Sequence, residues 1–97
     1  METADLVGKF LLMYTQGVDL HHPTSMSIDR VEEISGKIFL IGKQPSDLLG
    51  RENWLGNIET FLAWDSVTQF HVFNDYEAFK EACADGKGGG LFGLFRG

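Results

Sequence analysis

The chain has 97 residues, of which 43% are hydrophobic, 2 are proline and 1 is cysteine, and its formal net charge is −6. This length fits one small domain, and the apolar content excludes disordered, collagen-like and low-complexity chains, which lack the buried area needed to offset the entropy lost on ordering. The apolar runs fall far short of the roughly 20 residues that span a bilayer, and the basic residues form no cluster, so the sequence predicts neither a transmembrane helix nor direct binding to nucleic acid.

The first apolar stretch, residues 6–14, is compatible with two elements. Leu6, Phe10 and Met13 have the spacing of one helix face. Gly8 argues against a helix, because glycine costs about 1 kcal/mol in a helix interior but is tolerated as a bend near the start of a strand. We therefore favour a strand, with a helix as the alternative.

The next segments predict a loop followed by a β-hairpin. Residues 15–27 are rich in Gly, His, Pro, Thr and Ser, which is typical of a loop. Residues 27–34 and 37–41 then flank Ser35-Gly36. Two residues ending in glycine, placed between a β-branched run and an apolar run, indicate a tight primed turn. We expect these two strands to pair antiparallel.

A second loop and two further strands are expected before the last element. Residues 42–57 contain turn formers together with apolar side chains, so this loop has to pack some of them against the body. Residues 58–64 and 67–73 have the composition of strands. Asp65 and Ser66 separate them, and the Asp65 side chain is suited to capping a short turn.

The last element of the body is predicted to be a helix over residues 75–85. Asn74 is expected to be its N-cap, with Glu77 three positions on, an arrangement that satisfies free amides at a helix start. Tyr76, Phe79 and Cys83 would share one apolar face, and Gly86 would end the helix.

These elements predict a mainly β (α+β) fold, either a small bent antiparallel sheet or an SH3-like barrel, with about five strands and a C-terminal helix. Residues 1–85 would form the single domain and residues 86–97 a Gly-rich apolar tail. Over residues 6–73 the order of elements resembles the SH3-like and Sm-like small β-barrels, in which a one-turn element joins the last two strands. Trp64-Asp65-Ser66-Val67 stands at that joint. The resemblance implies a platform for a ligand or a partner.

Two apolar features are the candidate contact sites. The tail carries four large apolar side chains within five positions of a glycine-rich tether, namely Leu91, Phe92, Leu94 and Phe95. Leaving them in water would expose on the order of a few hundred Å² of apolar surface, so the tail is expected either to fold back on its own body or to dock onto a partner. Trp54, in a loop beside charged residues, is the second candidate, since such aromatic side chains are common at interfaces.

Metal-ligand residue types occur close together only at Asp19, His21 and His22. A zinc site needs three or four ligands that converge on a tetrahedron, and adjacent side chains rarely do so. We therefore expect no metal site and no other cofactor.

A second chemical hypothesis places Asp65, His71 and Cys83 around a pocket, with His71 as a base and Cys83 as a nucleophile. It requires the three side chains to lie close together, which the sequence does not establish. Cys83 on the apolar face of a helix is more often a core residue with a raised thiol pKa. We therefore expect a protein that is not an enzyme.

The function that these observations favour is a non-enzymatic interaction or ligand-binding module that self-associates through its apolar tail and loop aromatics. Two alternatives stay open. One is an acidic accessory or inhibitor protein of a phage or mobile element, which would bind a basic nucleic-acid-binding protein. The other is a small-molecule-binding or weakly catalytic barrel built on the pocket described above.

Net charge and cysteine content indicate the expected partner and cellular location. The negative charge would repel an anionic membrane and attract a basic protein partner. The side chains expected to orient such a partner are Glu59, Asp65, Asp75, Glu77, Glu81 and Asp85. One free thiol and an acidic N-terminus without an apolar signal region favour the cytoplasm. The expected partner is a protein, most simply a second copy in a homo-oligomer.

Overall fold

The computed structural model describes residues 2–17, 23–48 and 50–85, and shows a mostly β fold with one α-helix. The strands are β1 (Phe10–Thr15), β2 (Thr24–Ile34), β3 (Lys37–Lys43), β4 (Asp47–Leu48), β5 (Arg51–Glu52), β6 (Glu59–Ala63) and β7 (Val67–Phe73). Helix α1 spans Tyr76–Asp85, and 3-10 helices span Thr3–Leu6 and Trp64–Ser66. Within the described residues, no helix is long and apolar enough to cross a membrane.

The main sheet has five antiparallel strands in the order β6-β3-β2-β1-β7. The expected five-stranded antiparallel sheet with a C-terminal helix is therefore confirmed. Strands β6 and β7 form its two edges, and the second 3-10 helix joins them directly. Strands β4 and β5 form a separate two-stranded ribbon.

The first apolar stretch forms a strand, as favoured, although it starts at Phe10 and a 3-10 helix precedes it. Strand β1 is buried along almost its whole length because it is paired on both sides and covered on both faces. Leu11 and Met13 belong to one core cluster, whereas Phe10 and Leu12 belong to another. The uninterrupted apolar run of β1 follows from this position between two cores.

The first core draws side chains from all five strands of the sheet. Its buried members are Leu6, Leu11, Met13, Met26, Ile28 and Leu40, with Val31, Leu62, Trp64, Val67 and Phe70 packed against them. Only the three residues of the second 3-10 helix separate the two edge strands, β6 and β7. Such a link reaches at most about 15 Å, whereas the edges of a flat five-stranded sheet lie about 19 Å apart, so the sheet is curved.

Helix α1 covers the second core on the opposite face of β1. The Phe79 ring lies 4.9 Å from the Phe10 ring and 5.3 Å from the Phe73 ring. Phe79 and Cys83 are 0% and 5% exposed. The helix thus packs over β1 and the edge strand β7, as the spacing of its apolar residues predicts.

The predicted hairpin is confirmed. Ser35 and Gly36 both have positive φ, 53° and 81°, as a type I′ turn requires. Strand β2, however, begins at Thr24, so the expectation of a loop through residue 27 is wrong at its end. Small polar residues suggested a loop there, but backbone pairing with β1 decides the structure.

Two expectations about capping are wrong in detail. The carboxylate of Asp75, and not the side chain of Asn74, accepts a hydrogen bond from the Ala78 amide, at 2.8 Å, so Asp75 caps α1. In the turn between β6 and β7, the Ser66 hydroxyl donates to the Ala63 carbonyl at 2.7 Å, while Asp65 stays exposed. In both places the side-chain hydrogen bond is made by the residue that follows the expected one, Asp75 after Asn74 and Ser66 after Asp65.

The segment 42–57 contains more regular structure than the predicted loop. Strand β3 continues to Lys43, and β4 and β5 pair within the segment. Strands of two residues give too short a pattern to be recognised in a sequence. Leu48 packs against the second core, which confirms that this segment buries apolar groups.

Candidate interaction site

Trp54 is 80% exposed, the highest value among the exposed large apolar side chains of the described residues. It lies in the loop of residues 53–58, between β5 and β6, which we call the Trp54 loop. A tryptophan with an exposed ring presents a large apolar area and one hydrogen-bond donor to solvent. Such a side chain is the type that most often dominates binding energy at a protein interface.

The side chain of Asn53 holds the Trp54 loop in place. Its amide nitrogen donates to the Gln44 side-chain oxygen at 3.1 Å and to the Pro45 carbonyl at 2.9 Å. Its amide oxygen accepts from the Leu55 backbone at 3.2 Å. One half-buried amide therefore ties both sides of the loop to the segment that follows β3.

Backbone contacts fix the same loop independently. The backbone N–H of Asn53 donates to the Ser46 carbonyl at 2.9 Å, and the backbone N–H of Asn57 donates to the Gln44 carbonyl at 3.2 Å. Gly56 forms an isolated bridge with Gln44, and a Cβ at this glycine would lie 2.2 Å from Ser46 Cα. The two backbone segments are thus in direct contact, and the loop presents Trp54 from a defined conformation.

Partly exposed apolar side chains continue from the loop along β6. Ile58 is 48% exposed and Phe61 is 47% exposed. Register places Glu59 beside Lys43, the last residue of β3, so the Trp54 loop lies just beyond this end of the two strands. Exposed apolar area therefore occurs both in the loop and on the edge strand that follows it.

Arg30 lies over the same strand in an ion-pair network. Its guanidinium is 3.0 Å from the Glu59 carboxylate and 5.9 Å from the centre of the Phe61 ring. Hydrogen bonds to Glu59 and Glu32 raise the pKa of Arg30, and the hydrogen bond from Arg30 lowers the pKa of Glu59. Because two carboxylates share this cation, it is not available as a free positive charge.

The three residues of the pocket hypothesis have different surroundings. Asp65 is exposed in the second 3-10 helix, 3.9 Å from the Lys37 ammonium. His71 is exposed on β7, with its ring beside Gln69 and edge-on to Tyr14. Cys83 is buried among the apolar side chains of the second core. The contacts described for Asp65, His71 and Cys83 are therefore with different residues, and none of these contacts joins two of the three.

Burial raises the pKa of the Cys83 thiol. A raised pKa keeps the thiol protonated, and the protonated form is a poor nucleophile and a poor metal ligand. No group of three or more His, Cys, Asp or Glu side chains in the described residues is arranged to hold a metal ion. The candidates Asp19, His21 and His22 lie outside the described residues, as do Leu91, Phe92, Leu94 and Phe95 of the tail.

Sequence reasoning found Trp54 but missed the residues that position it. Asn53 gave no signal, because an asparagine in a polar loop usually faces solvent. Arg30 and Phe61 were assigned simply to strands, since only the sheet register brings them together.

Comparisons with known proteins do not assign the chain to a family. No family model matches it, and neither the curated proteins nor the solved structures contain a significant match.

Proposed function

We propose that this protein is a non-enzymatic interaction module, placed in the cytoplasm, that binds a second copy of itself through the Trp54 loop and the apolar tail of residues 86–97. The observation that supports it most is the 80% exposure of Trp54 on a loop held by the Asn53 amide. A loop that is already held in one conformation loses little conformational entropy on association, which favours affinity.

The energetic argument rests on what a buried tryptophan contributes. Aromatic side chains bury about 150–250 Å² each, and tryptophan is enriched among residues whose truncation costs 2 kcal/mol or more at interfaces. Ile58 and Phe61 add partly exposed apolar area beside the loop. A two-fold contact would use each of these side chains twice.

The architecture supports a binding role over a catalytic one. A 3-10 helix joins β6 to β7, at the position where the resemblance to SH3-like barrels implies a one-turn element, and this supports the proposal. The resemblance implies a platform, and loops on a rigid scaffold commonly carry the contact residues. The buried, protonated Cys83 thiol gives no support to a nucleophilic mechanism.

The test is the mass of the full chain in solution, measured by sedimentation equilibrium for wild type, Trp54→Ala and Ile34→Ala. Ile34 is the matched control, since it is an apolar side chain at 39% exposure on the β2–β3 hairpin, outside the Trp54 loop. Wild type and Ile34→Ala should form dimers. Trp54→Ala should raise the dimer dissociation constant about tenfold or more.

Two results would overturn the proposal. One is a wild-type chain that stays monomeric at every concentration measured. The other is equal dimer dissociation constants for wild type and Trp54→Ala, which would show that the exposed ring takes no part in the contact. Circular dichroism of each variant verifies that the fold is retained.

A further inference from the structure

Strand β7 forms one edge of the five-stranded sheet. It bonds to β1 through six register positions, from Phe10 opposite Phe73 to Thr15 opposite Val67. Among the described residues, no strand pairs with its other side. An edge of this kind presents a row of backbone donors and acceptors that another extended segment can pair with.

The composition of β7 leaves this edge open to pairing. Natural edge strands are usually protected by charged side chains, proline or very short length. Val67–Phe73 has seven residues and contains no Asp, Glu, Lys, Arg or proline. The opposite edge, β6, has five residues and includes Glu59, which is held by Arg30. The two edges therefore differ, and β7 is the better acceptor.

Apolar side chains flank this edge on both faces of the sheet. Val72 lies opposite Leu11 on the face of the first core, yet it is 43% exposed. Phe73 lies opposite Phe10 on the other face, where its ring packs on Phe79 of α1. A strand added to β7 would thus meet an apolar neighbour on either face and would cover Val72.

The tail has the pattern that such an edge accepts. In an extended segment, Leu91 and Phe95 would project to one face, and Phe92 and Leu94 to the other. Five residues extend about 17 Å, most of the roughly 23 Å of β7. The tail therefore supplies apolar side chains to both faces at once, as the edge requires.

Charge favours the same match. All 14 acidic residues and six of the 8 basic residues lie in residues 1–85, so this part carries −8, whereas Lys87 and Arg96 give the last twelve residues +2. Helix α1, which packs beside β7, presents Glu81 to solvent, and Glu77 of the same helix is exposed but paired with Lys80 at 3.1 Å. Opposite charges around the apolar segment would steer the tail toward this side of the body.

From these observations we infer that residues 91–95 of one copy add to β7 of a second copy as a sixth strand. The inference rests on the proposed self-association and identifies the surface that receives the tail. Reciprocal exchange satisfies both edges within one two-fold contact. Backbone bonds would supply affinity, and the side chains on the two faces would supply register.

The test uses amide exchange in the full chain, read residue by residue by NMR. A tail variant combines Leu91→Ser, Phe92→Ser, Leu94→Ser and Phe95→Ser, and leaves every member of both cores unchanged. In wild type, alternate amides of β7 should exchange about tenfold more slowly than in the tail variant. The amides of β2, which lies between two strands, are the internal reference.

A mixing arm identifies the copy that supplies the tail. The isotope-labelled tail variant, which has an intact β7 but an impaired tail, is mixed with unlabelled wild type. Recovery of slow exchange in the labelled β7 supports the inference, because the protecting tail has to come from the other copy. Slow exchange that is seen in pure wild type and does not recover in the mixture overturns it, because each tail then covers its own edge.

The same data separate this inference from the proposed function. A wild-type dimer whose β7 amides exchange as fast as those of the tail variant rejects the inference and leaves self-association standing. A monomeric wild type rejects both. Val72→Lys provides an independent check, since a charge at this edge should weaken dimerisation, whereas Ile34→Lys, at similar exposure, should not.

Discussion

At the scale of single residues, the position of Trp54 depends on groups that have little freedom to change. The Asn53 amide makes three hydrogen bonds across the loop. Gly42 in β3 is equally constrained, because a Cβ there would lie 1.7 Å from the Ser27 carbonyl oxygen. It sits next to the irregular register of β2 and β3 between Ile28 and Arg30, where the strands approach closely.

Asn53→Asp is the sharpest test of the loop. The change keeps shape and size but replaces a donor that serves two oxygens with an acceptor. We expect a loss of about 2 kcal/mol in the free energy of unfolding and weaker dimerisation, although Trp54 itself is unchanged. Urea unfolding and sedimentation measure the two effects. Equal stability and equal dimerisation of variant and wild type would contradict the role given to Asn53.

Gly42→Ala should destabilise the protein by about 3 kcal/mol, because the added methyl group forces β2 and β3 apart. The matched control is Lys43→Ala, an exposed neighbour in the same strand, with an expected change below about 0.5 kcal/mol. Thermal or urea unfolding measures both. Similar values for the two variants would show that the strands separate at no cost.

The ion pair of Glu59 with Arg30 should make the stability of the protein depend on pH. The pKa of Glu59 is lowered by the hydrogen bond from Arg30, so this carboxylate contributes stability above its unfolded-state pKa and loses this contribution as the pH falls through the folded-state pKa. Glu59→Gln should therefore lose less stability than wild type when the pH is lowered from neutral into the acidic range. Parallel acid-unfolding curves would contradict this account.

At the scale of elements, the sequence predicted correctly those helices and strands whose structure is determined by neighbouring residues. Alternation and the Ser35-Gly36 pair gave the hairpin, and apolar spacing gave the buried face of α1. Strand residues 24–27 and the ribbon of β4 and β5 were missed, because their structure depends on pairing with distant or very short partners. The candidate site was half predicted: Trp54 was found, but the amide that positions it was not.

Substitutions at the start of α1 test whether Asp75, and not Asn74, caps this helix. Asp75→Ala removes the acceptor of the Ala78 amide and should lower stability by about 1 kcal/mol. Asn74→Ala is the matched control, since the exposed Asn74 side chain accepts one hydrogen bond, from the Lys9 ammonium, among its described side-chain contacts, and the change should alter stability by less than about 0.5 kcal/mol. Urea unfolding distinguishes them. A larger effect at Asn74 would restore it as the cap.

At the scale of the whole molecule, the structure combines a well-packed body with an unusual surface. Both cores are formed by residues of the body itself. The surface nevertheless presents an ordered loop with an exposed tryptophan and an edge strand without Asp, Glu, Lys or Arg. A body at −8 and a tail at +2 attract each other, but two bodies at −8 repel, so added salt should weaken the contact of the tail and also screen the repulsion between copies.

The mass of the unaltered 97-residue chain in solution tests the central claim of self-association most directly. Light scattering coupled to size exclusion, at increasing protein concentration, should show a rise from the 10.8 kDa of one chain to twice that value. A mass that stays at 10.8 kDa throughout the series would contradict the claim.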